Sequence, residues 1–170
     1  VEKYDDAPAI KMINRADIEN LDGYNIVVED ILSSYKHKTL NKFLGGIIIA
    51  LYKKENPKSQ SIWNTDTSRL TYLIKEFMEN KSSNWIVDKN GIKTTSYVID
   101  PILEYLKEIL TEYQKNVPIV SMNVANMEIM AENNKALMDL INDIDDGFLA
   151  KDILKHISSH LRFDNKLLKE

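Results

Sequence analysis

The sequence predicts a mainly α protein with a small β-hairpin, an α+β fold made of a helical core unit and a C-terminal helical hairpin. Three observations carry this expectation. Apolar residues recur at helical spacing from Leu40 to Leu51 and again from Ile102 to Tyr113. An Asn90-Gly91 pair stands between two β-prone runs, the strongest short hairpin signal, because a type I′ turn needs positive φ at both central residues. A long pattern spaced near 3.5 residues runs from Ile119 to Ile144, and after Asp145-Asp146-Gly147 a second apolar stripe returns. The chain divides into an acidic N-terminal tail with a short helix (1–24), a helical unit with the hairpin (25–115) and the C-terminal helical hairpin (116–170).

Val1 to Ala9 has no periodicity and reads as a loose tail. Ile10, Ile13, Ala16 and Ile18 suggest a short helix, and Asn25 is placed to cap one containing Ile26, Val27, Ile31, Leu32 and Tyr35. The stripe Leu40, Phe43, Leu44, Ile47, Ile48, Leu51 is strong, and Ile49 on its far side makes this helix central. Gly45-Gly46 inside it costs about 1 kcal/mol per residue relative to Ala, which points to close approach of another element. Ile62-Trp63 reads as a short extended piece. Asn64, Thr65 and Asp66 then read as caps for a helix whose stripe is Leu70, Leu73, Ile74, Phe77 and Met78. Trp85 to Val87 and Ile92 to Ile99 read as the hairpin strands. Asp100 and Pro101 read as the cap and first residue of the next helix. In the last segment Val120, Val124, Met127, Ala131, Met138 and Ile141 form the seam, Asn134 interrupts it, and Leu149, Ile153, Leu154, Ile157 and Leu161 form the returning stripe. The tail from Asn165 should fray.

The run SIWNTDTSRLTYLIKE, the following W-x-x-D-K-x-G-x-K-T and the D-P-I-L-E-Y-L helix resemble the C-terminal region of uncharacterised, zinc-finger-like proteins of giant nucleocytoplasmic large DNA viruses. The segment ILKHISSHLRFD, Ile153 to Asp164, is similar to the way such proteins end. The resemblance spans roughly residues 40–164 and implies a viral setting without a settled activity. The zinc-finger part has no counterpart here, since the chain has no cysteine, and DNA binding assigned to that part does not carry over.

A chain of 170 residues with 44% hydrophobic content is long enough to bury a core. The absence of cysteine excludes disulfides and thiolate metal sites. The longest apolar run, Phe43 to Tyr52, is far short of the roughly 20 residues a bilayer-spanning helix needs, so we expect no membrane contact and an intracellular protein. On the resemblance, that location is the host cytoplasm, a viral factory or the virion. The formal net charge of −4 is unevenly spread. Counting Lys and Arg against Asp and Glu, residues 1–35 carry 3 and 8, residues 36–115 carry 13 and 9, and residues 116–170 carry 6 and 9. The central unit is thus the basic part of an acidic protein, which suits an anionic partner as well as it suits simple solvation.

No glycine-rich phosphate loop, nucleophile elbow or H-E-x-x-H motif is present, so neither an enzyme nor a cofactor is expected. Asp152, His156 and His160 fall at i, i+4, i+8, but HISSH lacks the glutamate of a zincin helix, and ordinary histidines are the simpler reading. Trp63 and Trp85 suit a core better than base stacking. The candidate nucleic-acid residues are Arg69, Lys81, Lys89, Asn90 and Lys93, with the hairpin tip acting as the wing of a winged-helix domain; Arg69 has an alternative partner in Asp66 or Glu76. The candidate protein-interaction residues are Val124, Met127, Asn134, Met138 and Ile141, through which the C-terminal helices would self-associate or dock a viral or host protein. Two functions are therefore expected. One is a non-enzymatic binding protein that contacts DNA through its central unit. The other is a structural or adaptor protein that acts only by protein association.

Overall fold

The computed structural model describes residues 4–116 and 123–164. In chain order the elements are α1 (Arg15–Glu19), α2 (Val28–Lys36), α3 (Leu40–Tyr52), β1 (Ile62–Asp66), β2 (Thr71–Phe77), β3 (Ser83–Asp88), α4 (Ile92–Thr94), α5 (Asp100–Lys115), α6 (Val124–Asp145) and α7 (Phe148–His160). Leu40, Leu44, Ile47 and Ile48 turn the apolar face of α3 inward, where it packs on Ile153, Leu154 and Ile157 of α7. Gly45 permits this approach: a Cβ there would lie 2.5 Å from Cδ2 of His156. The core is continuous from Ile10 to Leu161 and so crosses all three segments drawn in the sequence. The α6–α7 pair forms the expected helical hairpin, turning at Gly147 with φ +79°.

The three antiparallel strands are ordered β1-β2-β3, and this sheet corrects two sequence expectations. Leu70 to Met78 does not form a helix. Thr71 to Phe77 is the central strand, with Tyr72 and Ile74 buried toward the helices and Leu73 half-buried on the outer face. Thr, Tyr, Ile and Phe favour a pleated surface, and their alternation wins over a stripe that fits both periods. The Asp66 carboxylate, expected to cap a helix, instead accepts from the amides of Ser68 (3.0 Å) and Arg69 (3.1 Å) and closes the β1–β2 turn.

Asn90 and Gly91 do take positive φ, 61° and 63°, yet they are not a hairpin tip. They turn β3 into α4. The buried Asp88 carboxylate accepts from the amides of Lys93 (3.0 Å) and Thr94 (2.7 Å) and from the Thr94 hydroxyl (2.7 Å), which starts a helix where a second strand was expected. The helical path then continues through a widened turn over Thr95–Ile99 into α5, so Asp100 and Pro101 lie inside it. Proline has no N–H for the Tyr97 carbonyl, which accepts instead from the amide of Ile13 at 3.3 Å.

From Tyr4 onward the N-terminal segment is also packed, where the sequence predicts a loose tail. Tyr4, Ala7 and Ile10 are buried, the Ile10 amide donates to the Lys75 carbonyl at 2.6 Å, and the Tyr4 ring meets Trp63 and Phe163 edge-on. Asn14 supplies a capping box for α1, while α2 starts at Val28 without a side-chain cap from Asn25. Leu161 and Phe163 bond to both sides of Asn64 (2.7 and 2.8 Å), covering the outer edge of β1. Val120 and the residues from Asn165 onward lie outside the described residues.

Candidate nucleic-acid and protein interfaces

The β1–β2 turn carries Arg69, whose side chain is 85% exposed with Nε 3.8 Å from Oδ2 of Asp66. The Asp66 carboxyl is held below the usual carboxylate range, chiefly by the bond from the Arg69 amide, with Ser68 and the guanidinium adding to it. Because Tyr72 pairs with Asp88, the Asn90-Gly91 turn lies at the same end of the sheet as Arg69. Arg69 and Asn90 line one cleft of about 800 Å³, together with Thr67, Asp100, Lys151 and Lys155. Burial, followed by Glu104, raises the Asp100 carboxyl. Lys151 and Lys155 are exposed and make no ion pair among the described residues. Their i, i+4 spacing on α7 is the signal the sequence offers for them; their meeting with Arg69 is a product of the fold.

The other basic candidates are dispersed. Lys81 is exposed in the β2–β3 turn with φ 63°, at the far end of β2, roughly 20 Å from Arg69 at about 3.4 Å per residue. Lys89 is exposed beside Asn90. Lys93 is already paired: its Nζ lies 3.0 and 3.2 Å from the two carboxylate oxygens of Glu76, and that bond raises its pKa. The wing expected of Lys89, Asn90 and Lys93 is therefore absent, since these residues start a helix and Lys93 is turned toward the sheet.

The predicted seam of α6 faces away from the core. The helix buries Ala136, Leu137 and Leu140, while Val124 (73%), Met127 (52%) and Met138 (47%) are exposed, as are Ala131 and Asn134. Ile141 is half-buried against the core, and the Gln114 side chain reaches the Met138 sulfur at 3.8 Å. Ile129, which the seam did not include, is also exposed. The first half of α6 is thus largely uncovered on more than one side.

Trp63 is buried between Tyr4 and Phe163, and Trp85 donates its indole N–H to the Tyr4 carbonyl at 3.2 Å. The ring of His156 sits against Gly45 and that of His160 lies 4.8 Å from it; among the described residues no three His, Asp or Glu side chains form a metal-holding group. No helix of the described residues is long and apolar enough to cross a membrane. No protein-family model, curated protein or solved structure matches the chain.

Proposed function

We propose that this is a non-enzymatic association protein that pairs with a second copy through the outward face of α6. The observation that supports the reading is the run of exposed Val124, Met127 and Met138 on a helix whose buried face lies elsewhere. Exposed apolar area of this kind gains about 25 cal/mol per Å² when covered. A copy of the same helix suits it. Val124, Met127, Ala131, Asn134 and Met138 repeat near the 3.5-residue period that two packed helices share, and Asn134 in mid-seam sets register at some loss of stability. On the resemblance alone, and as part of the same proposal, its setting is the infected cell or virion of a large DNA virus.

Sedimentation over a wide concentration range tests this. The expected result is a dimer that Met127→Glu converts to monomer without loss of helical signal. A monomer at every concentration, or a dimer indifferent to Met127→Glu, would sink the reading. The cleft holding Arg69, Lys151 and Lys155 favours a second reading, contact with the nucleic-acid backbone, because three cations, of which only Arg69 is paired among the described residues, open onto one space that Asp100 also lines.

A further inference from the structure

Backbone geometry shows which groups β3 presents to solvent. The Lys75 amide donates to Ser61 at 2.9 Å and the Lys75 carbonyl accepts from Ile10, so the polar backbone of Lys75 faces away from β3. Its cross-strand partner is Trp85, which makes Lys75–Trp85 a non-hydrogen-bonded pair of the antiparallel ladder. Bonded and non-bonded pairs alternate, so Asn84, Ile86 and Asp88 turn their amides and carbonyls toward β2. Ser83, Trp85 and Val87 direct theirs outward. Among the described residues no main-chain hydrogen bond reaches these outward groups. The opposite edge of the sheet is covered by Leu161 and Phe163 on Asn64.

Apart from the buried Asp88 at its end, the strand carries none of the usual devices against edge pairing. Ser83 to Val87 contains no lysine, proline or other charge, and its register with β2 is unbroken. On the outer face, Val87 is 61% exposed beside half-buried Leu73 and Trp85, and Phe77 is 62% exposed opposite Ser83. Lys81 lies just before the strand and Lys89 just after it, both exposed, with Glu79 in the Lys81 turn and the buried Asp88 beside Lys89. A second copy fits this edge poorly, because two-fold antiparallel pairing about Trp85 sets Lys81 opposite Lys89 of the copy. A strand with acidic ends meets both lysines favourably.

We infer that the open edge of β3 is a docking site for an extended peptide with an apolar, alternating centre and acidic ends, supplied by a partner protein. The peptide bonds to the outward amides and carbonyls of Ser83, Trp85 and Val87, lays its apolar side chains over Val87 and Trp85, and directs its carboxylates to Lys81 and Lys89. This site is separate from the α6 face and stands whether or not that face pairs.

The test uses the full chain and two synthetic probes, EEVTVTVEE and its charge-reversed form KKVTVTVKK. Amide hydrogen exchange read by NMR should show Ser83, Trp85 and Val87 becoming protected on adding the acidic peptide, with the basic peptide binding more weakly. Val87→Pro removes an outward N–H at an edge position where the β2 ladder does not use it, and should lower affinity by about tenfold. Lys89→Glu should weaken the acidic peptide and strengthen the basic one, which keeps the proposal testable if the proline variant unfolds. No protection of the three amides at saturating acidic peptide overturns the proposal. So do equal binding of the two peptides, wild-type affinity in a folded Val87→Pro variant, or protection that grows with protein concentration without peptide.

Discussion

Gly91 stands directly against Leu154: a Cβ on Gly91 would meet Cδ2 of that leucine at 2.6 Å and Cδ1 at 2.8 Å. Its φ of +63° adds a second constraint, because L side chains are strained there. Gly91→Ala should therefore destabilise by about 2–4 kcal/mol, roughly 1 from the backbone and the rest from overpacking. Gly147→Ala, at φ +79° with nothing within 4 Å of the added Cβ, isolates the backbone part. It should cost only about 1 kcal/mol. Urea unfolding of both variants checks this, and equal losses would show that contact with Leu154 contributes nothing.

The contrast between Gly91 and its neighbours shows how much of the fold was legible. The positive φ at Asn90 and Gly91 follows from the residues themselves, but whether such a turn joins strand to strand or strand to helix is decided beyond it. Here Asp88 captures the amides of Lys93 and Thr94. Thr94, Val98, Ile102, Leu106 and Leu110, all buried and four apart, override the β preference of Ile92 to Ile99. Leu70, Leu73, Ile74 and Phe77 satisfy a helical stripe while Tyr72 and Ile74 satisfy a strand, and local pattern alone does not choose. The α3 stripe with Gly45 and the α6–α7 turn were readable because each answers to a single period. Tyr4 was not, since its partners Trp63 and Phe163 lie far along the chain. The candidate sites divide the same way. The α6 seam was legible as a period, whereas the meeting of Arg69 with Lys151 and Lys155 belongs to tertiary structure.

His156 lies half-buried against Gly45, and burial, followed by the charges of His160 and Lys42, holds its pKa below the ordinary imidazole value. The unfolded chain thus takes up a proton first as pH falls. Stability is complete above the ordinary value of about 6.5 and is lost on acidification from there toward the folded-state pKa. The thermal midpoint should fall from about pH 7.5 to about pH 5 more steeply in the wild type than in His156→Gln. Parallel curves for the two proteins would show that the histidine is not destabilised by its site.

Arg69, Lys151 and Lys155 open onto the same cleft, while Lys81 lies at the far end of β2 and Lys93 is neutralised by Glu76. If the cleft holds a nucleic-acid backbone, each cation that contacts a phosphate releases counterion worth about 0.9 in the slope of log K against log salt. Replacing all three with Ala should lower that slope by up to about 3 and weaken binding alike across sequences, since phosphate contacts carry no base information. Lys81→Ala with Lys93→Ala should leave the slope unchanged: one residue is remote, and the other offers a charge already satisfied at 3.0 Å. Fluorescence anisotropy of a labelled DNA duplex across a salt series reads both effects. A slope that follows Lys81 and Lys93 would move the contact to the other end of the sheet. Binding absent at low salt would remove the nucleic-acid reading and leave protein association.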